Sequence, residues 1–149
     1  MFSLRFSVRL FVIIGLALSI GGCASMVGHH KVEDLYDVAL GSSPARTYQA
    51  TFEEARQAAL YSMQQTGMEN IAEHQNASAG WFVTGEISYS WRSNGQFVRV
   101  SVRAIPGSKP AKAQVFYYSV KRYEMNVTEN LEVIRDKVLN LMDSYIESL

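Results

Sequence analysis

The sequence predicts an α+β domain, a two-layer sandwich in which two helices cover one face of an antiparallel sheet of four to five strands. Three observations lead there. Residues 81–91 alternate strictly, with Trp81, Val83, Gly85, Ile87, Tyr89 and Trp91 on one side and Phe82, Thr84, Glu86, Ser88 and Ser90 on the other. That two-residue period marks a strand with one covered face. Asn94-Gly95 follows, a strong signal for a two-residue hairpin turn of type I′. Two stretches with apolar residues at helical spacing flank these strands, each preceded by a residue suited to capping a helix. The element order is β-α-β-β-β-β-α.

Taken along the chain, residues 47–50 suit a short first strand. Thr51-Phe52-Glu53-Glu54 is a capping box, in which Thr51 accepts a free amide and Glu54 reaches back to the cap. The helix it starts puts Phe52, Ala55, Ala59 and Met63 on one face with Leu60 beside them, and Gly67 suits its C′ position. A strand around Ile71 occupies residues 68–75, and 76–80 is a turn. With Ser93 facing Gln96 across the Asn94-Gly95 turn, Trp91 lies opposite Val98, Tyr89 opposite Val100, Ile87 opposite Val102 and Gly85 opposite Ala104. Glu86 then meets Arg103, and Ser90 meets Arg99, on the other face. A slip by one residue would turn every inward side chain outward. In the last strand, 113–123, Phe116, Tyr118 and Val120 form the expected core set. The closing helix starts near Asn126, with Glu129 completing its cap and a stripe of Leu131, Ile134, Val138, Leu141, Tyr145 and Leu149.

The sheet face away from the helices is the candidate binding surface. It is expected to be solvated, as one face of an antiparallel sheet commonly is. The side chains assigned to it include Phe97, Arg99, Arg103, Tyr117 and Lys121. Arginine forks suit phosphate and carboxylate groups.

Catalytic patterns are hard to find. His74 is the only histidine beyond residue 30, and its default reading is a surface strand residue. Ser78 stands too close to it across a turn to serve as its nucleophile, and no Gly-x-Ser-x-Gly elbow exists. The glycines are scattered at turns, without a phosphate loop. His29-His30 lacks the further ligands a metal site needs. The expectation is a non-enzymatic protein with no metal and no cofactor.

The N-terminal residues address location. Arg5 and Arg9 precede a largely apolar run, 10–20, and Gly21-Gly22-Cys23 ends it. A basic start, an apolar centre and small residues before a cleavage point make an export signal. The apolar core at 10–18 is about half of the ~20 residues a membrane-spanning helix needs. An ordinary secretory signal that happens to end in cysteine is the other alternative. The stretch resembles a bacterial lipoprotein signal, whose lipobox ends in a lipid-accepting cysteine. Ile20-Gly21-Gly22-Cys23 fits that pattern, with Ile where Leu is commoner. The resemblance implies cleavage after residue 22 and a covalent lipid on Cys23. Two or more acyl chains anchor stably where one is marginal, each buried methylene contributing about 0.8 kcal/mol. Ala24, where an Asp would retain the protein at the inner membrane, implies the outer membrane, with the domain facing the periplasm.

Division of the chain follows: 1–22 signal peptide, 23–46 lipidated cysteine and tether, 47–149 a single domain. The tether carries Gly28-His29-His30 and Gly41-Ser42-Ser43-Pro44 around a short amphipathic piece (Val32, Leu35, Tyr36, Ala39). Cys23 is the only cysteine, so its lipidation leaves no thiol for disulfide, catalysis or metal. Loss of Arg5 and Arg9 from the 14 basic residues leaves 12 against 14 acidic ones. That balance gives no electrostatic footprint for nucleic acid.

Residues 47–149 also resemble small bacterial envelope lipoproteins whose pattern is a helix ending in Leu-x-x-x-Gly, three or four strands and a C-terminal helix. Met63 stands where that Leu would be, four residues before Gly67. The order is similar to the helix-on-sheet domains of lipoprotein subunits of the outer-membrane β-barrel assembly machinery, through Ala58, Leu60, Gly67, Ile71 and Gly80. The resemblance transfers no functional residue. A membrane anchor, a short tether and no catalytic set together point to an accessory role, in which the sheet face away from the helices or an edge strand docks another envelope protein. Binding of an anionic envelope polymer, lipopolysaccharide or cell-wall glycan, through Arg99, Arg103, Tyr117 and Lys121 is the alternative.

Overall fold

A computed structural model describes residues 30–88, 94–123 and 131–149. Its elements are β1 (Arg46–Tyr48), α1 (Phe52–Thr66), β2 (Glu69–Asn76), β3 (Gly80–Ile87), β4 (Gln96–Ala104), β5 (Ala113–Lys121) and α2 (Leu131–Glu147). The five strands form one sheet in the order β1-β5-β4-β3-β2, with every neighbouring pair antiparallel. Strands β2 to β5 run as a meander, and β1 reaches the far edge because α1 crosses the sheet between β1 and β2. The two helices pack together on one face, giving the expected α+β sandwich.

Local chemistry fixes α1 at both ends. Thr51 Oγ1 accepts the Glu54 amide at 3.2 Å, and Glu54 Oε2 accepts the Thr51 amide at 2.6 Å. At the other end Gly67 has φ of +81° and returns its amide to the Gln64 carbonyl, a left-handed cap that favours glycine. Ala55, Ala58, Ala59 and Ser62 are buried, and their small side chains let α1 lie close to the sheet and to α2. The core beneath gathers Met63, Met68, Val83, Val98, Val100, Val102, Ala113 and Val115 with Val138, Leu139 and Met142 of α2.

The α2 stripe is rotated relative to expectation. Val138, Leu139 and Met142 are buried, with Ile134, Tyr145 and Ile146 packed beside them, while Leu149 is 69 % exposed. The helix meets both α1 and the sheet, so its covered face is broader than a single stripe and is centred on Val138 and Met142. Asn126 and Glu129 lie outside the described residues.

The β3–β4 register departs from the two-residue hairpin. Ile87 faces Gln96, Gly85 faces Val98, Val83 faces Val100 and Trp81 faces Val102. Relative to expectation, the partner of Ile87 has moved six positions along β4, from Val102 to Gln96. A displacement by an even number keeps every side chain on its own face, so the apolar pattern suits both registers equally. Burial beneath the methionines suits the observed one. Gly85 lies so close to Met63 that an added Cβ would come within 2.8 Å of its Cε. Glu86 consequently faces Phe97, and its ion pair is with Arg122 at 3.2 Å, while Arg103 turns to Gln114. Residues 89–93, which include Tyr89 and Trp91, lie outside the described residues.

Strand β5 is inverted relative to expectation. Val115 pairs with Val102 and Tyr117 with Val100, so Ala113, Val115 and Tyr117 face the helices. Phe116 and Tyr118 take the opposite face beside Ser101 and Arg99. Both faces of β5 are covered, which removes the contrast that alternation needs.

Candidate binding face

The second face of the sheet is built in cross-strand rows. His74, Phe82, Ser101 and Phe116 form one, and Ala72, Thr84, Arg99 and Tyr118 the next. This face is not solvated as expected. Phe82, Thr84, Phe97, Arg99, Ser101 and Phe116 are all buried. The cover is residues 31–41, the middle of the segment read as a tether.

This strap begins with a 3-10 turn, Val32–Leu35, capped by the Asp34 carboxylate accepting the Lys31 amide at 2.9 Å. Leu35 inserts against the sheet with 2 % exposure. The Tyr36 ring lies 4.5 Å from the His74 ring and 5.8 Å from that of Phe82. Asn76 Nδ2 donates to the Tyr36 carbonyl at 2.9 Å, and its Oδ1 accepts the Ala79 amide at 2.7 Å. Further along, Gly41 donates its amide to the Tyr118 hydroxyl at 2.8 Å, and that hydroxyl donates to the Ala39 carbonyl at 3.3 Å.

Arg99 is the centre of the face. Its Nη1 donates to the Leu35 carbonyl at 2.5 Å and the Val38 carbonyl at 2.7 Å, and Nε donates to Ser101 Oγ at 2.8 Å. The guanidinium sits over Phe82 at 4.6 Å and over Tyr118 at 5.1 Å, both within cation–π range. Among the described residues, Nη2 has no hydrogen-bond partner. Burial lowers the pKa of Arg99 from its ordinary value, with Tyr118 opposing the shift. No carboxylate among the described residues pairs with it, and such a buried cation is unusual, because desolvation costs several kcal/mol that an ion pair normally offsets.

The residues assigned to the binding face therefore separate. Phe97, Arg99 and Arg103 share it, with Arg103 exposed at one end over Phe116. Tyr117 and Lys121 lie on the helix-facing side of β5, because their positions alternate with Tyr118. Burial raises the Tyr117 pKa above the ordinary phenol value. The four side chains expected to hold an anionic polymer do not form one surface. Cys23, Ile20, Gly21 and Gly22 lie outside the described residues.

Sequence reasoning placed Phe82 on this face but missed His74, Tyr118 and the strap. The signal was present in Val32, Leu35 and Tyr36, apolar residues for which a tether has no use, and in Phe82 and Phe97 on a face assigned to water. His74 Nε2 lies 2.9 Å from Thr84 Oγ1, and its ring stacks on Phe82 at 5.0 Å. These are the contacts of a packed histidine. Beside the strap, Val32, Tyr36, Asn70, Glu86 and Phe97 line a cleft of about 140 Å³. Among the described residues, no three histidines or carboxylates lie close enough to hold a metal, and no helix is long and apolar enough to cross a membrane.

No protein-family model matches this chain, and no curated protein is similar to it in sequence. What the fold and the face define is a helix-on-sheet α+β domain whose second face is an arginine–aromatic surface under an N-terminal strap.

Proposed function

We propose that this chain is an envelope lipoprotein, acylated at Cys23, held at the outer membrane with its domain in the periplasm, and acting as a non-enzymatic accessory that binds another envelope protein. The observation that carries the anchoring is the sequence of the leader, from Arg5 and Arg9 through the apolar run to Ile20-Gly21-Gly22-Cys23. The accessory role is supported by the character of the second face, whose groups are suited to recognition: aromatic rings, an arginine and side-chain amides, with His74 engaged in packing.

The strap changes the geometry of such an anchor. From Cys23 to Lys31 the chain spans at most about 29 Å when fully extended. A tether running to Arg46 would allow nearly three times that. The second face, where the strap lies, would then sit near the membrane and whatever is embedded in it.

The test is intact-mass analysis of the membrane-extracted protein beside a Cys23→Ser variant, with crosslinking in intact cells. A mature species beginning at acylated Cys23, absent from the variant, together with a specific crosslinked neighbour, is the expected result. An unmodified soluble product would remove the anchor, and crosslinking that recovers only free monomer would remove the accessory role.

A further inference from the structure

We propose that the arginine–aromatic face is a peptide-receptor site occupied in cis by residues 31–41, and that its partner is an extended peptide whose carboxylate takes Arg99 in place of the strap. The inference rests on the protein-binding role above and names its site and the chemistry of its partner.

Two observations carry it. First, the face holds the strap largely through backbone atoms. Arg99 takes the Leu35 and Val38 carbonyls, Asn76 the Tyr36 carbonyl, and Tyr118 the Ala39 carbonyl and the Gly41 amide. Leu35 and Tyr36 add side-chain packing of their own, and Val32, Val38 and Leu40 are half-buried beside them. Recognition through carbonyls is tolerant of sequence, so another extended segment with an apolar–aromatic pair fits the same cradle.

Second, the strap serves Arg99 poorly. Both carbonyls fall on Nη1, and Nη2 stays buried with no acceptor among the described residues. A guanidinium is a fork suited to two oxygens held side by side, and a carboxylate supplies both along with the missing negative charge. Glu33, Asp34 and Asp37 of the strap are exposed and do not supply it. A partner carrying a carboxylate would gain an interaction that the strap lacks, which is the differential affinity needed for displacement. Lys31, Glu33, Asp34, Asp37, Ala39 and Gly41 are all exposed, and Leu35, though buried, lies outside the core cluster between helices and sheet, so opening the strap breaks no contact within that cluster.

The experiment uses the full chain in detergent with the strap weakened by Leu35→Ala and Tyr36→Ala. Two fluorescent peptides of residues 31–38 serve as probes, one ending at Val38 as a free acid and one as an amide. The free acid places a second oxygen beside the Val38 carbonyl position, within reach of Nη2. The weakened chain is expected to bind the acid at least tenfold more tightly than the amide, and at least tenfold more tightly than the unaltered chain does. Adding Arg99→Met should bring the acid down to the amide. Equal binding of the two peptides, or no binding by a variant that still unfolds cooperatively, would overturn the proposal. If the variant does not fold, hydrogen exchange on the unaltered chain decides. The Gly41 amide must exchange through an opening at least a hundredfold more frequent than that of the Val100 amide in β4, and matched rates would overturn the proposal. Such a failure removes this site alone, since the crosslinking test of the accessory role does not depend on Arg99.

Discussion

Tyr48 donates its hydroxyl to Asp143 Oδ1 at 2.9 Å, joining the edge strand β1 to the helix α2. The other oxygen of the same carboxylate accepts Arg46 Nη1 at 2.8 Å. One acidic side chain thus receives two of the three side chains of strand β1. Asp143→Ala should lower stability by about 1–2 kcal/mol, near the value of a hydrogen bond to a charged group because the site is half-buried. Urea unfolding measures it, and a loss below 0.3 kcal/mol would mean that β1 is held by its pairing with β5 alone.

The same contact predicts an alkaline limit. Burial, then the hydrogen bond and charge of Asp143, raise the Tyr48 pKa well above the ordinary phenol value, and burial raises that of Tyr117. A pKa raised in the folded state means that folding favours the protonated phenol. The stability is fully present below about pH 10, where the unfolded phenol titrates, and falls as pH rises beyond it. Urea midpoints between pH 8 and 11.5 should drop for the parent chain and drop less for a Tyr48→Phe, Tyr117→Phe double variant. Equal slopes would place the alkaline loss elsewhere.

Gly85→Ala should destabilise the domain by about 1–3 kcal/mol, the usual range for overpacking a core. Its new methyl meets the mobile end of Met63 at 2.8 Å and the stiffer Cβ of Met68 at 3.2 Å. Met63→Val in the same chain should recover part of the loss, because the two sites share one space. Strict additivity of the two changes in thermal or urea unfolding would contradict the packing described.

Leu35→Ala separates a strap from a tether. For a tether residue the change would be close to neutral. For a buried one the lost contacts and the cavity amount to about 2 kcal/mol or more. Hydrogen exchange at the Gly41 amide should rise roughly thirtyfold, the equivalent of that energy, with little change at Val83 or Val100.

The α1 cap gives a prediction in acid. Thr51→Ala should cost about 1 kcal/mol. The Glu54 carboxyl is held below its ordinary pKa, first by the Thr51 amide and then by the Thr51 hydroxyl. Its contribution is present above the ordinary carboxylate pKa and is lost as pH falls through the lowered one. Glu54→Gln, which removes the titrating group, should therefore flatten the acid side of the stability curve, and an unchanged acid profile would count against the cap.

Much of the fold is legible in the sequence where one local rule has a single solution. Thr51 with Glu54, and Gly67 four residues after Met63, bound α1 unambiguously. The alternation at Trp81, Val83, Gly85 and Ile87 identifies the inward side chains of β3. It does not say how far β3 slides past β4, because shifts in steps of two bury the same residues. Strand β5 is ambiguous for a different reason: Phe116 and Val115 are both buried, on opposite faces, and period-two contrast disappears. The binding face was hidden by its cover. Arg99 is charged and sits on the side opposite the helices, so its residue type argues for solvent, and only the arrival of Leu35 and the Val38 carbonyl makes its burial possible.

The position of the strap has a mechanical consequence. Tension applied to the chain ahead of Lys31 reaches residues 31–41 before it reaches any strand. The bonds at Leu35, Tyr36, Val38, Ala39 and Gly41 come one after another along that path, so a pull away from the sheet loads them singly, as in peeling. The sheet ladders are loaded only after the last has parted. A modest force would thus bare Arg99 while leaving the helices and strands folded, and the domain would respond to traction at its N-terminal end long before heat or denaturant disturbed its core.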